Sequence, residues 1–245
     1  MLETIGLARS FGALSVLRDV TLTIAAGERR AVIGPNGAGK TTFFNLLSGE
    51  VPPSGGRIRF AGQDVTTKGV AARARMGLAR SFQRNSLFAD LGVGANLAVA
   101  VIEAERQGWS LWRPLNRRAD IEGKVAAIAA QIGLADRLEQ PVTALSYGAQ
   151  RQLEVGLALA GRPKLLLLDE PTAGMSPDET QAMERLIAAL PRSVTVVIIE
   201  HDMDVVFGLA DRVTVLDAGT VLAEGTPAEI RASAEVRARY LGGAP

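Results

Sequence analysis

Residues 34–42 read GPNGAGKTT and satisfy GxxxxGK(S/T), with Gly34, Gly39, Lys40 and Thr41 in the fixed places. Glycines allow backbone N–H groups to turn inward around phosphate oxygens, and a helix that follows adds the positive end of its dipole. Lys40 is placed to reach the β- and γ-phosphates of a nucleotide, and the Thr41 hydroxyl to ligate Mg²⁺. Two acids, Asp169 and Glu170, close the apolar run 165–168. Asp169 suits Mg²⁺, directly or through water, while Glu170 suits a general base or a water-orienting group. The single histidine, His201, follows the apolar run 194–199 and could donate a hydrogen bond to a γ-phosphate. Taken singly, the loop could be a Gly-rich turn, the acid pair a helix cap and the histidine a surface residue. Their order along the chain favours nucleotide chemistry.

The elements that must position these groups are legible around them. Arg30–Ile33 reads as a short buried strand, and Thr42–Leu47 opens a helix, the setting a phosphate loop requires. KLLLLDE (164–170) and VTVVII (194–199) are continuous apolar runs of the kind found in central parallel strands. Their C-terminal ends are where ligands gather in open α/β sheets. Segments 2–5, 9–12 and 20–24 alternate in period two with Gly breaks, which predicts antiparallel strands with Phe11 on a loop. Phe11 could belong to the core or stack on an adenine ring. Residues 57–60 and 62–64 predict a further hairpin, and 79–83 a short strand-like segment ending at Gln83. A mostly helical pattern continues to about residue 160, interrupted by a predicted loop at 108–118 that holds both tryptophans. Ser146 is a candidate N-cap before Leu153, Val155, Leu157 and Leu159. Near the end, strand pairs at 212–217 and 220–224 precede Thr226-Pro-Ala-Glu229, a capping-box pattern with Pro at the first helical position.

Composition narrows the classes. The 245 residues suffice for one large domain or a domain plus a subdomain. With 27 Lys+Arg against 26 Asp+Glu, bulk charge predicts no nucleic-acid partner. The absence of Cys excludes disulfides and thiolate metal sites. No signal-peptide pattern follows Met1, and the apolar runs are far shorter than a bilayer span. A mean hydropathy of +0.16 is high for a soluble chain and fits a large buried parallel sheet, or an exposed apolar patch for a partner. From Arg57 to Arg84 seven basic residues face one acid, Asp64. That run reads as a solvated face, or as a surface near anionic lipid, where each Lys or Arg adds about 1 kcal/mol.

The phosphate loop, Gln83, LSYGAQ (145–150), LLLLDE (165–170) and the histidine after a strand, in this order, resemble the ATP-binding subunits of ABC transporters over essentially the whole chain. The resemblance implies an α/β, P-loop NTPase (RecA-like) core with an N-terminal antiparallel β subdomain. It implies 1–84 and 161–245 as the ATP-binding core and 85–160 as an inserted helical subdomain. By this likeness Phe11 stacks on adenine, and Gly34, Pro35, Asn36, Gly37, Ala38, Gly39, Lys40, Thr41 and Thr42 form the Walker A loop. Gln83 reaches Mg²⁺ and couples to the membrane domain, Asp169 is the Walker B acid, Glu170 the catalytic glutamate and His201 the switch histidine. Ser146 and Gly148, within the signature motif, contact the ATP held by the opposite subunit, so that ATP joins a head-to-tail dimer. Tyr147 and Ala149 depart from the signature, and Ser176 stands where many members carry Asp, which puts a cross-dimer contact in doubt.

Segments 77–100, 169–177 and 199–230, with the ending Arg239-Tyr-Leu-Gly242, are similar to the branched-chain amino acid importer branch. Urea and amide importers share much of this wording, and the lipopolysaccharide-export ATPase is a cousin. The implied partners are transmembrane permease subunits, a second identical or related ATPase and, indirectly, a solute-binding protein, at the cytoplasmic face of the membrane. A soluble ABC ATPase of DNA repair or translation is the rival class, though long coiled coils, tandem units and basic arms are lacking in the sequence.

Overall fold

A computed structural model of the chain describes residues 1–81, 87–106 and 117–241. Two compact units emerge. The first comprises Met1–Leu78, Lys164–Glu170 and Pro191–Pro245, and the second Ala79–Pro163 and Pro171–Leu190.

In the first unit, β1 (Leu2–Phe11) and β2 (Leu14–Ile24) form a long antiparallel pair. β4 (Gly55–Phe60) and the two-residue β5 (Gln63–Asp64) extend it into a sheet of order β2-β1-β4-β5. The break expected after Ile5 is a register shift inside one continuous strand, between Thr4 and Leu7, with Gly6 at φ +58°. An irregularity of this kind adds twist without ending the pairing. Phe11 accordingly ends β1 opposite Leu14.

The second sheet runs β10-β9-β3-β8-β7-β6. β3 (Arg29–Ile33), β7 (Leu165–Asp169), β8 (Thr195–Ile199) and β9 (Arg212–Asp217) pair in parallel, and β10 (Thr220–Gly225) returns antiparallel to β9. The edge strand β6 is Leu78–Arg80. Every residue of β3, β7 and β8 is buried, which is why Leu165–Leu168 of β7 and Val196–Ile199 of β8 read as unbroken apolar runs and not as alternation. Helix α1 (Lys40–Ser48) buries Phe43, Phe44, Leu46 and Leu47 in the cluster that also holds Leu165, Leu167 and Val197.

Arg30 is buried within β3, with Nε 2.6 Å from Glu28, Nη1 3.0 Å from Glu224 and Nη2 donating to Thr23 O at 3.0 Å. A buried cation is tolerated when its donors are satisfied in this way. The basic run 57–84 divides. Arg57, Arg59, Lys68 and Arg75 are exposed, but Arg73, in helix α2 (Val70–Arg75), is 1% exposed. Its guanidinium donates to Leu46 O (2.5 Å), Leu47 O (2.7 Å), Lys68 O (2.7 Å) and Thr66 O (3.3 Å). Arg73 therefore belongs to neither surface reading. It closes the C-terminal end of α1, where a cation also meets the negative end of the helix dipole.

The second unit is built on α3 (Val93–Arg106), α4 (Arg117–Gln131), α5 (Tyr147–Ala160) and α6 (Pro177–Ala189). Gly156 lets α5 approach closely, since a Cβ there would meet Ile132 Cδ1 at 2.7 Å and Leu97 Cδ2 at 3.2 Å. The loop expected at 108–118 differs at its end, because Arg117 and Arg118 already open α4. Trp109 and Trp112 lie outside the described residues. Back in the first unit, the C-terminal part comprises α7 (Met203–Leu209), α8 (Pro227–Ala232), with the expected capping box of Thr226 and Glu229, and a short α9 (Ala234–Val236) running into a π-helical turn, Arg237–Leu241. No helix among the described residues is long and apolar enough to cross a membrane.

Candidate nucleotide site

The phosphate loop joins the buried β3 to α1. Gly34 adopts φ +148°, and a Cβ there would lie 2.0 Å from Leu216 O. Gly39 is the N-cap of α1 at φ +99°, where a Cβ would meet Leu17 Cδ2 at 2.7 Å. These two positions require glycine on both conformational and steric grounds. Because Gly39 has no side chain and the first turn of α1 carries no acid, the helix N-terminus keeps its amides and its positive dipole for an external anion. Lys40 Nζ donates to Gly34 O at 2.6 Å and Pro35 O at 3.0 Å, folding back over the loop. Burial lowers the Lys40 pKa, while the negative charges of Glu170 and Asp169 oppose that shift.

The acids come from the neighbouring strands. Asp169 is the last residue of β7, in register with Ile199 of β8, and is 2% exposed. Glu170 follows at φ +47°, its N–H donating to Ile199 O at 2.9 Å. A non-glycine residue held in the left-handed region stores strain of about 1–3 kcal/mol, of the kind that collects at functional sites. Glu170 Oε1 lies 2.8 Å from His201 Nε2. The expectation that β7 and β8 end at one edge is met, with a difference: the His201 ring meets Glu170 directly. Asp202 N-caps α7, accepting from Asp204 N at 2.9 Å and Val205 N at 3.4 Å, and so fixes the chain just after the histidine.

Phe11 is half exposed, with the Arg9 guanidinium 4.4 Å from its ring centroid, and Arg9 Nη1 donates to Pro52 O at 2.8 Å. This is not the core position its aromatic type also allowed. Thr41 is exposed and Thr42 half-buried at the start of α1. Gln83 lies outside the described residues. Among the described residues no three His, Cys, Asp or Glu side chains cluster as a metal cage. The donor set of Thr41 and Asp169 instead fits Mg²⁺, which takes few protein ligands and completes its shell with phosphate oxygens and water.

In the second unit, Ser146 is the N-cap of α5, its Oγ accepting from Ala149 N at 3.3 Å. Glu179 accepts from Gly148 N at 3.0 Å and Ser176 N at 3.1 Å. The Ser146 hydroxyl, then the Ser176 and Gly148 amides, hold the Glu179 carboxyl below the usual carboxylate range. A Cβ on Gly148 would meet Glu179 Cδ and Cγ at 2.7 Å, which explains glycine there. A cavity of about 190 Å³ opens beside Ser146, Gly148, Gln152 and Glu179. Two of the three departures have local accounts. Ser176 N-caps α6 in a capping box with Glu179, and the exposed Tyr147 lies under the Arg151 guanidinium, 5.5 Å from the ring centroid. The sequence pattern Ser176-Pro-Asp-Glu179 signals the capping box, but not the contact of Glu179 with Gly148.

A buried parallel sheet with a phosphate loop after β3 and two acids at the C-terminal end of β7 defines an α/β P-loop nucleotide hydrolase. The "ABC transporter" family model matches residues 17–173, and a "Branched-chain amino acid ATP-binding cassette transporter" model matches 220–245. The chain belongs to the ABC transporter family and carries its ATP-hydrolysing, nucleotide-binding cassette. It is 40% identical over 249 residues to the high-affinity branched-chain amino acid transport ATP-binding protein LivG of Escherichia coli (strain K12), covering 99% of this chain and 98% of the relative. It is 38% identical over 249 residues to the high-affinity branched-chain amino acid transport ATP-binding protein BraF of Pseudomonas aeruginosa, with the same coverage of 99% and 98%. The ADP conformation of MJ1267, an ATP-binding cassette of an ABC transporter, superposes with TM-score 0.86 at 27% identity, covering 99% of this chain and 98% of that one.

Proposed function

We propose that the chain is the ATP-binding, ATP-hydrolysing subunit of a branched-chain amino acid importer, peripheral at the cytoplasmic membrane face. The observation that carries the chemistry is the convergence of Lys40, Asp169, Glu170 and His201 within one unit, with Glu170 held 2.8 Å from His201. Backbone amides of 34–42 and the α1 N-terminus receive the phosphates, and Lys40 exchanges two carbonyls for phosphate oxygens. Glu170 orients or deprotonates the attacking water, with His201 fixing its carboxylate, while Lys40 stabilises charge on the transferred phosphoryl group. Thr41, Asp169 and Gln83 would hold Mg²⁺, which would supply further charge neutralisation. Phe11 offers an exposed ring face to the adenine.

Ser146 and Gly148 would meet the nucleotide of a second ATPase subunit, so that ATP joins the dimer and hydrolysis releases it. That cycle moves the permease partners. Residues 1–84 and 161–245 would act as the nucleotide-binding core, and 85–160 as the helical part. Substrate assignment is supported by the near full-length likeness to LivG and BraF, whose names specify branched-chain amino acid transport.

Two measurements test this reading. Glu170→Gln should bind ATP and lose nearly all turnover, whereas Lys40→Ala should lose productive nucleotide binding; ordinary turnover in both would refute the site. Tagged chain, gently solubilised from native membranes, should bring down multi-span permeases. Their solute-binding protein should prefer leucine to urea or amides. A urea or amide preference would redirect the substrate assignment and leave the ATPase in place.

A further inference from the structure

One face of the Phe11 ring is already taken. The guanidinium carbon of Arg9, two residues earlier on β1, lies 4.4 Å from the ring centroid, a cation–π distance. Arg9 Nη1 donates to Pro52 O at 2.8 Å. Arg9 Nε is buried with no hydrogen-bond partner among the described residues, so the ring and one carbonyl hold the group in place. The segment that supplies the carbonyl is itself fixed to β1. Ser54 N donates to Ala8 O at 2.8 Å, and Ser10 N donates to Ser54 Oγ at 3.1 Å. The same stretch of β1 is tied to the phosphate loop. Arg9 pairs with Leu17 of β2, and Leu17 Cδ2 is the atom that a Cβ on Gly39 would strike. Arg18 N donates to Gly219 O at 2.8 Å, and Gly219 N donates to Ala38 O at 3.2 Å. The hairpin that carries Phe11 is thereby fastened to the helix end of the loop, within one unit.

The geometry points to Arg9 as the positioning residue for the base end of the nucleotide: it holds Phe11 by one face and leaves the other for the adenine. This inference rests on the reading of Phe11 as the adenine platform. Its physical content is pre-organisation. Phe11 stands at the end of its strand, 48% exposed, where a ring has other rotamers open to it and a stacked base needs one of them. A guanidinium anchored at Pro52 O and laid against the ring restricts those alternatives before nucleotide arrives. Arg9 acts through the ring and not on the transferred phosphoryl group, so its effect falls on binding and not on the chemical step.

Arg9→Met keeps an unbranched apolar stem and removes the cation. An exposed cation–π contact corresponds to roughly a two- to fivefold change in affinity. In the full-length chain, Arg9→Met should weaken ADP binding by that factor in titration calorimetry and raise KM for ATP in parallel. kcat should stay within about twofold. Pyrophosphate, which has no base, should bind Arg9→Met as it binds the native chain. Arg9→Lys keeps the charge and should recover part of the loss. In a Phe11→Ala background Arg9→Met should change nothing further, because the group it acts through is gone. Native ADP affinity in Arg9→Met, an equal loss for ADP and pyrophosphate, or an undiminished further loss in the Phe11→Ala background overturns the assignment. Phe11→Ala alone separates the two claims. Native ADP affinity there refutes the adenine platform itself, whereas a loss there beside a native Arg9→Met refutes only the role of Arg9.

Discussion

Replacing Arg73 by Met is the most direct probe of how the phosphate-loop helix is anchored. The guanidinium is 1% exposed and donates to four carbonyls, two of them, Leu46 O and Leu47 O, in the last turn of α1. Burial lowers its pKa to about 10, so it remains charged at neutral pH. Leu46 O retains a bond from Gly49 N at 3.3 Å, but Leu47 O loses its charged donor. A buried acceptor left without a partner costs about 1–3 kcal/mol, and bonds to a charged donor contribute about 1.5–3 kcal/mol each. Against this stands relief from burying a cation, several kcal/mol. The balance is a destabilisation of about 3 kcal/mol for Arg73→Met. Arg73→Lys keeps the charge but not the planar fork that reaches four acceptors, and should lose about half as much. Urea unfolding of the nucleotide-free chain, followed by far-UV circular dichroism, reads both. A loss below about 1 kcal/mol in Arg73→Met would mean that water or rearrangement satisfies these carbonyls, and the anchoring argument fails.

Gly34→Ala should strain the loop by about 1–3 kcal/mol and weaken ADP binding at least tenfold, measured by titration calorimetry, because its Cβ would collide with Leu216 O. Ser176→Ala removes the N-cap of α6 and should lower stability by about 1 kcal/mol in the same urea assay. The Glu179 carboxyl is held below its usual pKa by Ser146, Ser176 and Gly148. Its stabilising contribution is therefore present above the unfolded value, about 4.3, and is lost as pH falls through the lower folded value. Thermal midpoints between pH 6 and 3 should fall less steeply in Glu179→Gln than in the native chain; parallel curves would remove Glu179 from that role.

The readings that came directly from the sequence share a cause, namely local rules. Gly34 and Gly39 mark turns that side chains forbid, 165–168 and 196–199 are apolar without alternation because both faces of their strands are covered, and Ser146 and Thr226 cap their helices by contacts three residues long. What tertiary structure decided lay between residues distant in sequence. Arg73 is indistinguishable in a basic run from Arg75, and only its placement under the end of α1 buries it. Glu179 reads as half of a capping box, but the close approach of α5 and α6 brings it to Gly148, thirty-one residues away. Glu170 and His201 are equally far apart, and parallel register of β7 and β8 brings them to 2.8 Å. Periodicity and capping are encoded over one or two turns of chain, whereas contact between separate elements depends on how those elements pack.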